Sequence, residues 1–332
     1  MKILITGATG FLGTRLAAAA LARGDSVRGL VRDLDRAAEL RATGVETVQG
    51  DMLDAESLQR AVQGVDCIFH TAAVIGDWPD RGLSRRVNVE GTRTLVSLAI
   101  QAQVQRVVHF SSLAVYGNQH HRGTDESAPY RYGDIYTDAK IDSERVVFDL
   151  ARGGAIEAVS LRPGFIYGPG DRTLLPKILE ALSSRKFMFV GDGSKQMNCV
   201  YVEDVVQAAM LASTVAGASG RAYNVTDGQI PELRDFIGSI AEYCGLPMPT
   251  KHVPPILAVA GCYTSEHVGH LLGLEQAPLM NISRLRFLYY NQAYSIQRAR
   301  QELGYSPQYP IRDGLPPTLD WFGARSTNAV AA

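Results

Sequence analysis

Residues 2–13 read KILITGATGFLG, a short β-forming run followed by three glycines at a spacing of three residues. The run 2–6 predicts a strand, and the Ala- and Leu-rich residues 11–23 predict a helix that ends at Gly24. Glycine suits a sharp turn and a close approach of the backbone to a phosphate, and a helix N-terminus offers N–H groups to the same anion. The residues of this predicted pyrophosphate-binding turn are Gly7, Thr9, Gly10, Phe11 and Leu12.

Strand-like and helix-like runs alternate after this turn at a regular pace. The predicted strands are 26–32, 45–50, 67–71, 106–110 and 158–161, and the predicted helices are 37–42, 56–62, 87–103 and 136–151. This alternation predicts an α/β protein with a doubly wound parallel sheet of the Rossmann type, because parallel neighbours need crossover helices. Ligands of such sheets bind beyond the carboxyl ends of the strands, where the motifs below are located.

The rhythm loosens after Pro163, where Gly and Pro become frequent. The later runs are helix-like near 174–183, 205–213 and 233–244 and strand-like at 187–190 and 222–225. We therefore predict a Rossmann dinucleotide-binding domain over residues 1–163 and a smaller mixed α/β substrate lobe over 164–323, partly interleaved with it. Residues 324–332 are predicted to form a flexible tail.

The composition argues against several classes of protein. The formal net charge of -1 gives no support for a nucleic-acid partner. The first residues lack a secretory pattern, and the most apolar late stretch, 253–274, is interrupted by Glu266, so we expect no signal peptide and no membrane span. No two cysteines form a Cys-x-x-Cys pair, which favours reduced thiols, a cytoplasmic location and no metal site.

Tyr136 and Lys140 are four residues apart on one predicted helix, so their side chains project from the same face. A free phenol has a pKa of about 10, and a neighbouring ammonium favours the phenolate. We therefore expect Lys140 to lower the pKa of Tyr136, which would then exchange a proton with a substrate oxygen.

Further motifs follow these features in a fixed order. They are HTAA at 70–73, NVEGT at 88–92, LRPG at 161–164, YGPG at 167–170 and YVED at 201–204. With the glycine turn and the Tyr136–Lys140 pair, the chain resembles the extended short-chain dehydrogenase/reductase family, the NAD-dependent epimerase/dehydratase superfamily, over roughly its whole length. Within that family it is most similar to the branch of 3β-hydroxysteroid dehydrogenases and dihydroflavonol reductases, which also holds bacterial reductases of long-chain β-keto acids.

The resemblance implies a catalytic group of Ser112, Tyr136 and Lys140, together with Asn88. In the family the catalytic Ser or Thr lies three residues before the Val of a Val-Tyr-Gly motif, which selects Ser112 over Ser111. Ser112 would hydrogen-bond the substrate oxygen, and Lys140 would also bind the nicotinamide ribose. Besides the turn residues, the expected cofactor contacts are Arg32, Asp51, Met52, Thr71, Ala72, Ala73, Tyr136, Lys140, Pro163, Gly164 and Phe165.

The end of the second predicted strand bears on the choice of cofactor. NAD-preferring Rossmann domains place an acidic residue there to receive the ribose hydroxyls. This chain has Val31 at that position, followed by Arg32, which can hold a 2′-phosphate through charge-assisted hydrogen bonds. We predict a preference for NADP(H), with NAD(H) left open as the alternative, since Asp33 follows directly.

The segment 191–204 bears on the substrate. Nucleotide-sugar members of the family typically carry an Arg where this chain has Met197, and a thioether packs against apolar ligands but cannot balance a diphosphate. Arg172 or Lys195 would have to supply that charge from a shifted position. The residues expected at the substrate are Trp78, Leu113, Phe165, Tyr167 and Met197.

Three hypotheses follow for the function. The leading one is an NAD(P)-dependent oxidoreductase that interconverts a secondary alcohol and a ketone on a largely apolar small molecule: a steroid-like, flavanonol-like or long-chain β-keto compound. The second is a nucleotide-sugar epimerase or dehydratase on the same scaffold. The third is a non-catalytic, cofactor-sensing regulator, against which Ser112, Tyr136 and Lys140 argue. The resemblance also implies a homodimer, in which the helices at 88–103 and 136–151 pair across a four-helix interface.

Overall fold

The structure is a computed structural model that describes residues 1–76, 78, 80–274, 277–278 and 281–323. The predicted flexible tail, 324–332, lies outside the described residues. No helix within the described ranges combines the length and the apolar character needed to cross a bilayer.

Strands and helices alternate along the described chain. The strands are β1 (Lys2–Thr6), β2 (Ser26–Val31), β3 (Glu46–Gln49), β4 (Cys67–His70), β5 (Arg106–Phe110), β6 (His121–Thr124), β7 (Glu157–Pro163), β8 (Phe165–Tyr167), β9 (Phe189–Val190), β10 (Cys199–Tyr201), β11 (Arg221–Val225), β12 (His252–Val253) and β13 (Gln292–Tyr294). The helices are α1 (Phe11–Ala22), α2 (Ala38–Ala42), α3 (Ala55–Val62), α4 (Arg81–Ser84), α5 (Thr92–Gln101), α6 (Ile135–Ala151), α7 (Leu175–Ser183), α8 (Val202–Ala212), α9 (Leu233–Tyr243), α10 (Pro255–Leu271), α11 (Ile282–Tyr289) and α12 (Ile311–Trp321).

Seven parallel strands form the central sheet in the order β11-β7-β5-β4-β1-β2-β3. β1 lies between β2 and β4, with Ile3 opposite both Val27 and Cys67. The central strands are apolar and buried because helices cover both faces of the sheet. The strand order reverses beside β1, which creates a crevice at the carboxyl ends of the strands. The predicted doubly wound Rossmann fold is thus confirmed.

One strand-like run lies elsewhere than the sequence suggested. Residues 222–225 were assigned to the second lobe, but β11 pairs in parallel with β7 at the edge of the central sheet, with Ala222 opposite Ser160. The run is short and strand-like in either location, so only the tertiary pairing distinguishes the two locations.

The helix predicted at 87–103 begins earlier in the structure than the sequence suggested, and it is irregular. A continuous helical run begins at Arg81, and its part at Arg85–Gly91 is π-helical. Such π-helical turns insert an extra residue and often lie at functional sites. Here the widened turn contains Asn88, whose contacts are described below.

The helix predicted near 205–213 in the second lobe is α8, and it packs beside α1 in the core of the central sheet. Most of the remaining chain forms a smaller mixed layer over the carboxyl ends of the sheet. Its strands pair in two-stranded parallel sheets, β10 with β8 and β12 with β9. A third parallel pair joins β13, late in the described chain, to β6. In sequence β6 lies between β5 and β7 of the central sheet. The core of this layer is centred on the fully buried Tyr167, Phe189 and Phe236.

Candidate active site

The turn after β1 needs glycine at two positions. Gly7 has a φ of +71°, and a Cβ there would lie 2.8 Å from Thr71 Oγ1. A Cβ on Gly13 would lie 2.2 Å from the Gly7 carbonyl oxygen, so α1 can pack this tightly on the turn only without a side chain. Gly10 caps α1 in an extended conformation with no side-chain hydrogen bond to the first turn. The N-terminus of α1 is therefore available to an anion, as a dinucleotide pyrophosphate requires.

The segment after β4 is held in place by Asn88. The Asn88 carboxamide accepts a hydrogen bond from Val74 N at 2.7 Å and donates one to Val74 O at 2.9 Å. Asn88 is 3% exposed and is not among the described residues that form the cleft wall, whereas Val74 is. The structure therefore gives Asn88 a positioning contact with the segment that lines the cleft.

The three remaining predicted catalytic residues come together at the carboxyl end of β5. Lys140 Nζ donates a hydrogen bond to Phe110 O at 2.8 Å and lies 6.0 Å from the centre of the Tyr136 ring. Ser112 follows β5 in an extended conformation, its Oγ accepting a bond from Ala114 N at 3.1 Å. The Ser112 hydroxyl also acts on the Tyr136 phenol, whose pKa it lowers. One face of α6 and the end of one strand thus assemble the group.

The direction of the Tyr136 pKa differs from the sequence-based expectation. Burial raises the pKa of Tyr136 above its ordinary value, and the Ser112 hydroxyl and the charge of Arg286 only partly oppose the rise. Burial lowers the pKa of Lys140 to about 8, against the attraction of Glu144. Low-dielectric surroundings disfavour both charged forms, so the phenol is protonated and Lys140 titrates close to neutrality.

α6 is anchored to the sheet by a buried ion pair. Glu144, fully buried, pairs with Arg162 of β7. The Glu144 carboxylate also accepts bonds from Ser160 Oγ at 2.9 Å and Tyr130 Oη at 2.6 Å. A buried pair persists only where additional hydrogen bonds satisfy its charges, as they do here. The pair fixes the middle of α6 one turn beyond Lys140.

The glycine turn and the group of Ser112, Tyr136 and Lys140 border one cleft of about 2210 Å³. That is well above the roughly 300–1,000 Å³ of an ordinary small-molecule pocket, and it leaves room for a dinucleotide and a second ligand. The predicted cofactor residues all lie on its wall: Gly7, Thr9, Gly10, Phe11, Leu12, Arg32, Asp51, Met52, Thr71, Ala72, Ala73, Tyr136, Lys140, Pro163, Gly164 and Phe165.

The same wall continues into an apolar part. Leu113 and Phe165, both predicted substrate residues, line it. Phe165 meets Phe287 of α11 edge to face, with ring centres 5.1 Å apart. Ile75 and Leu83 also line it and had no signal in the sequence beyond being apolar.

The structure does not bring the other predicted substrate residues to the cleft. Met197 is 1% exposed and Tyr167 is fully buried, and both belong to the core of the second layer. Trp78 donates its indole N–H to Leu274 O at 2.8 Å and so links the segment after β4 to the end of α10. Among the described residues none of these three forms part of the cleft wall.

Arg172 and Lys195, the two residues that could balance a substrate diphosphate in place of the missing Arg, differ in position. Arg172 lies on the cleft wall. Lys195 does not, and its Nζ lies 5.9 Å from the ring centre of Tyr289.

Arg286 is a cleft residue that the sequence analysis missed. It comes from α11 and contacts Asp134, the N-cap residue of α6. It stands in the run ISRLRFLY, which matches no motif, so no sequence signal distinguishes it from a surface arginine.

The fold and this cleft define the class of dinucleotide-dependent Rossmann enzymes. The model of the NAD dependent epimerase/dehydratase family matches residues 3–226. The chain belongs to this family, that of the extended short-chain dehydrogenases/reductases.

Named relatives extend over nearly the whole chain. A 2-alkyl-3-oxoalkanoate reductase of Shewanella oneidensis is 30% identical over 325 residues, which cover 94% of this chain and 84% of the relative. A 3 beta-hydroxysteroid dehydrogenase/Delta 5-->4-isomerase of Mycobacterium tuberculosis is 33% identical over 342 residues, 97% of this chain and 90% of the relative. The crystal structure of gox2253 superposes with a TM-score of 0.80 at 30% identity and covers 97% of both chains. The chain is therefore an enzyme with reductases and hydroxysteroid dehydrogenases among its relatives.

Proposed function

We propose that the enzyme is an NADP(H)-preferring oxidoreductase that interconverts a secondary alcohol and a ketone on a largely apolar substrate, such as a steroid-like, flavanonol-like or long-chain β-keto compound. One observation carries the proposal. Ser112, Tyr136 and Lys140 share the wall of a single cleft with both the glycine turn and an apolar surface that includes Phe165. A hydride donor and a carbonyl group can then meet beside a proton donor.

The residues suggest how the reaction proceeds. In reduction, Tyr136 donates its phenolic proton to the ketone oxygen, and Ser112 hydrogen-bonds that oxygen as charge develops on it. The nicotinamide cofactor supplies the hydride. Burial keeps the phenol protonated, which suits a proton donor. Lys140 is held beside it by Phe110 O and would bind the ribose hydroxyls.

The preference for NADP(H) rests on the end of β2. Val31, at the position where NAD-specific domains place a carboxylate, is 2% exposed, and the exposed Arg32 lies on the cleft wall near Asp51. Arg32→Ala should weaken NADPH binding about tenfold or more, because a hydrogen bond to a charged group contributes about 1.5–3 kcal/mol, and should leave NADH binding unchanged. Fluorescence titration of both cofactors measures this. Tighter binding of NADH than of NADPH by the unaltered enzyme would contradict the preference.

The substrate class is tested with a panel. Sterols, β-keto acids, flavanonols and nucleotide sugars are each incubated with the enzyme and either cofactor, and the absorbance of the reduced nicotinamide is followed. We expect turnover of at least one apolar ketone or alcohol, abolished in Tyr136→Phe.

The nucleotide-sugar epimerase or dehydratase function is retained as a second candidate because of Arg172. A guanidinium on the cleft wall can pair with a diphosphate. Met197 argues against this candidate, since it replaces the expected Arg and is buried. A Kd of about 1 µM for a UDP-, GDP- or dTDP-sugar, with no binding of any apolar ketone, would favour the second candidate over the first.

A further inference from the structure

A side chain from the C-terminal part of the chain reaches the start of the catalytic helix. Arg286 of α11 forms an ion pair with Asp134 and donates a hydrogen bond from Nη2 to Thr137 Oγ1 at 2.7 Å. Its Nε donates to Asn118 Oδ1. Arg286 is 8% exposed and lies on the cleft wall. An arginine with this many directed bonds is held in one orientation.

The carboxylate that Arg286 meets begins α6. Asp134 is the N-cap residue and accepts a bond from Thr137 N at 2.9 Å. It precedes Tyr136 by two residues, and its negative charge acts to raise the pKa of the Tyr136 phenol, whereas the charge of Arg286 acts to lower it. The two charges therefore oppose each other at the proton donor.

The other ionisable groups nearby come from several elements. Lys140 is on the same helix as Tyr136, and the Ser112 hydroxyl, just after β5, acts to lower the pKa of the phenol. Arg286 is also faced by His121 of β6 and Tyr294 of β13, and it acts to lower the pKa of both groups. Burial keeps both of these neutral, so among these neighbours Asp134 supplies the charge that balances Arg286.

We propose that Arg286 is a positioning residue for Tyr136: it fixes the first turn of α6 and cancels the charge of Asp134, so that the contact of α11 with α6 prepares the proton donor. Its catalytic consequence rests on the proposed alcohol–ketone function. The contact itself does not, because it is made between the protein's own side chains.

Four variants separate charge from geometry. Arg286→Gln removes the charge that opposes Asp134. Arg286→Lys keeps the charge but cannot make the three directed bonds. Asp134→Asn removes the negative charge and remains a good N-cap. The double variant Arg286→Gln with Asp134→Asn leaves this site without net charge, and it guards against a single variant that fails to fold with an unpaired buried carboxylate.

The first readout is the titration of the Tyr136 phenol in the cofactor-free protein, followed by NMR of ¹³Cζ-labelled tyrosine and assigned by the signal lost in Tyr136→Phe. We expect Arg286→Gln to raise the midpoint by about one pH unit, the size of effect that one neighbouring charge commonly has. Arg286→Lys should stay near the unaltered protein, and the double variant should return towards it.

The second readout is the pH dependence of kcat/KM for alcohol oxidation. In Arg286→Gln, the rise of kcat/KM with increasing pH should move to higher pH. Arg286→Lys should lower kcat about tenfold and leave the midpoint of that rise unchanged, because only the orientation of the side chain is lost. Arg312→Gln, an exposed arginine on α12, is the matched control and should change neither readout.

Two results would overturn the proposal. One is a folded Arg286→Gln protein whose Tyr136 midpoint is unchanged. The other is a double variant that remains shifted as far as the single one. Absence of turnover in the unaltered enzyme with every substrate would instead count against the proposed function, and the NMR titration would still decide the role of Arg286.

Discussion

Tyr136 experiences opposing influences within a few ångströms. Burial in the cleft wall raises its pKa, and the Ser112 hydroxyl and the charge of Arg286 lower it. Lys140, which sequence spacing suggested as the main influence, instead directs its ammonium to the Phe110 carbonyl. At the residue scale the phenol is thus kept protonated as a proton donor. The groups that lower its pKa come from the segment after β5 and from α11.

We expect Tyr136→Phe to lower kcat by about 10²–10⁴-fold, the usual contribution of a positioned general acid. Cofactor affinity should be unchanged, because only the phenolic hydroxyl is removed. Steady-state kinetics and a cofactor titration measure the two effects. Tyr132→Phe is the control, since Tyr132 is exposed and its hydroxyl donates only to Asp142, at 2.8 Å. Substantial activity in Tyr136→Phe would remove Tyr136 from the mechanism.

Lys140→Met should raise the melting temperature of the cofactor-free protein at neutral pH while impairing both rate and cofactor binding. Burial lowers the pKa of Lys140 from 10.5 to about 8, so between these values the unfolded chain binds more protons than the folded one. The stability of the unaltered protein that depends on this group therefore rises as pH increases through that window, and it is constant below the window because Lys140 is then protonated in both states. The advantage of the Met variant, about 1–3 kcal/mol near neutrality, should shrink from pH 8 to 10.5.

Calorimetry of both proteins across that pH range tests the prediction. A difference in stability that is independent of pH would mean that Lys140 does not bear a buried charge in the folded state.

At the scale of elements, α6 carries two ion pairs of contrasting environment. Glu144 is buried and pairs with Arg162 of β7, whereas Asp149 is exposed and pairs with Arg152 at 2.9 Å. Removal of one partner from a buried pair leaves an uncompensated charge, while an exposed pair is screened by water.

Glu144→Ala should therefore reduce the free energy of unfolding by about 3–5 kcal/mol, and Asp149→Ala by less than about 1 kcal/mol. Urea denaturation monitored by circular dichroism measures both. Equal effects of the two substitutions would show that the Glu144 pair does not anchor the helix.

The packing of α1 on the glycine turn gives a second prediction at this scale. Gly13→Ala should abolish cofactor binding or prevent folding, because the added Cβ would lie 2.2 Å from Gly7 O. Gly153→Ala, which meets nothing within 4 Å, is the matched control and should behave as the unaltered protein. Cofactor titration of the folded fraction distinguishes the two, and normal binding by Gly13→Ala would contradict the packing seen at the turn.

At the scale of the whole molecule, the cleft lies where the smaller layer covers the carboxyl ends of the central sheet. Strand β11 belongs to that sheet although it follows several elements of the smaller layer in the chain. β13 returns to pair with β6, which precedes α6 in the chain. The two parts are therefore joined by several chain crossings, and side chains such as Arg286 span them.

A homodimer remains a prediction at this scale, based on the resemblance of the helical regions 88–103 and 136–151 to those that form a four-helix interface in the family. Light scattering coupled to size exclusion should give twice the chain mass at about 10 µM, well above the Kd of a stable interface. Exposed polar residues of α6 replaced singly by Arg provide the interface test, since a buried charge would dissociate the dimer. A monomer mass for the unaltered protein would refute the prediction.

The sequence by itself determined what depends on local spacing. Gly7, Gly10 and Gly13 predicted the phosphate turn, and the structure requires glycine at Gly7 for its positive φ and at Gly13 for its close approach. The four-residue spacing of Tyr136 and Lys140 placed both on one helix face. The alternation of strands and helices predicted the parallel sheet in the same way. The predicted cofactor residues therefore lie together on one wall.

Only the tertiary structure decided what depends on contacts between distant segments. An apolar residue reads alike in a core and in a binding cleft, so Met197 and Tyr167 proved to be core residues while Phe287 lines the cleft. The same limit concealed Arg286, because its partner Asp134 lies 152 positions earlier in the chain. For the same reason the sequence did not predict the opposing effects on the pKa of Tyr136, because burial is a property of the folded chain and not of any spacing within the sequence.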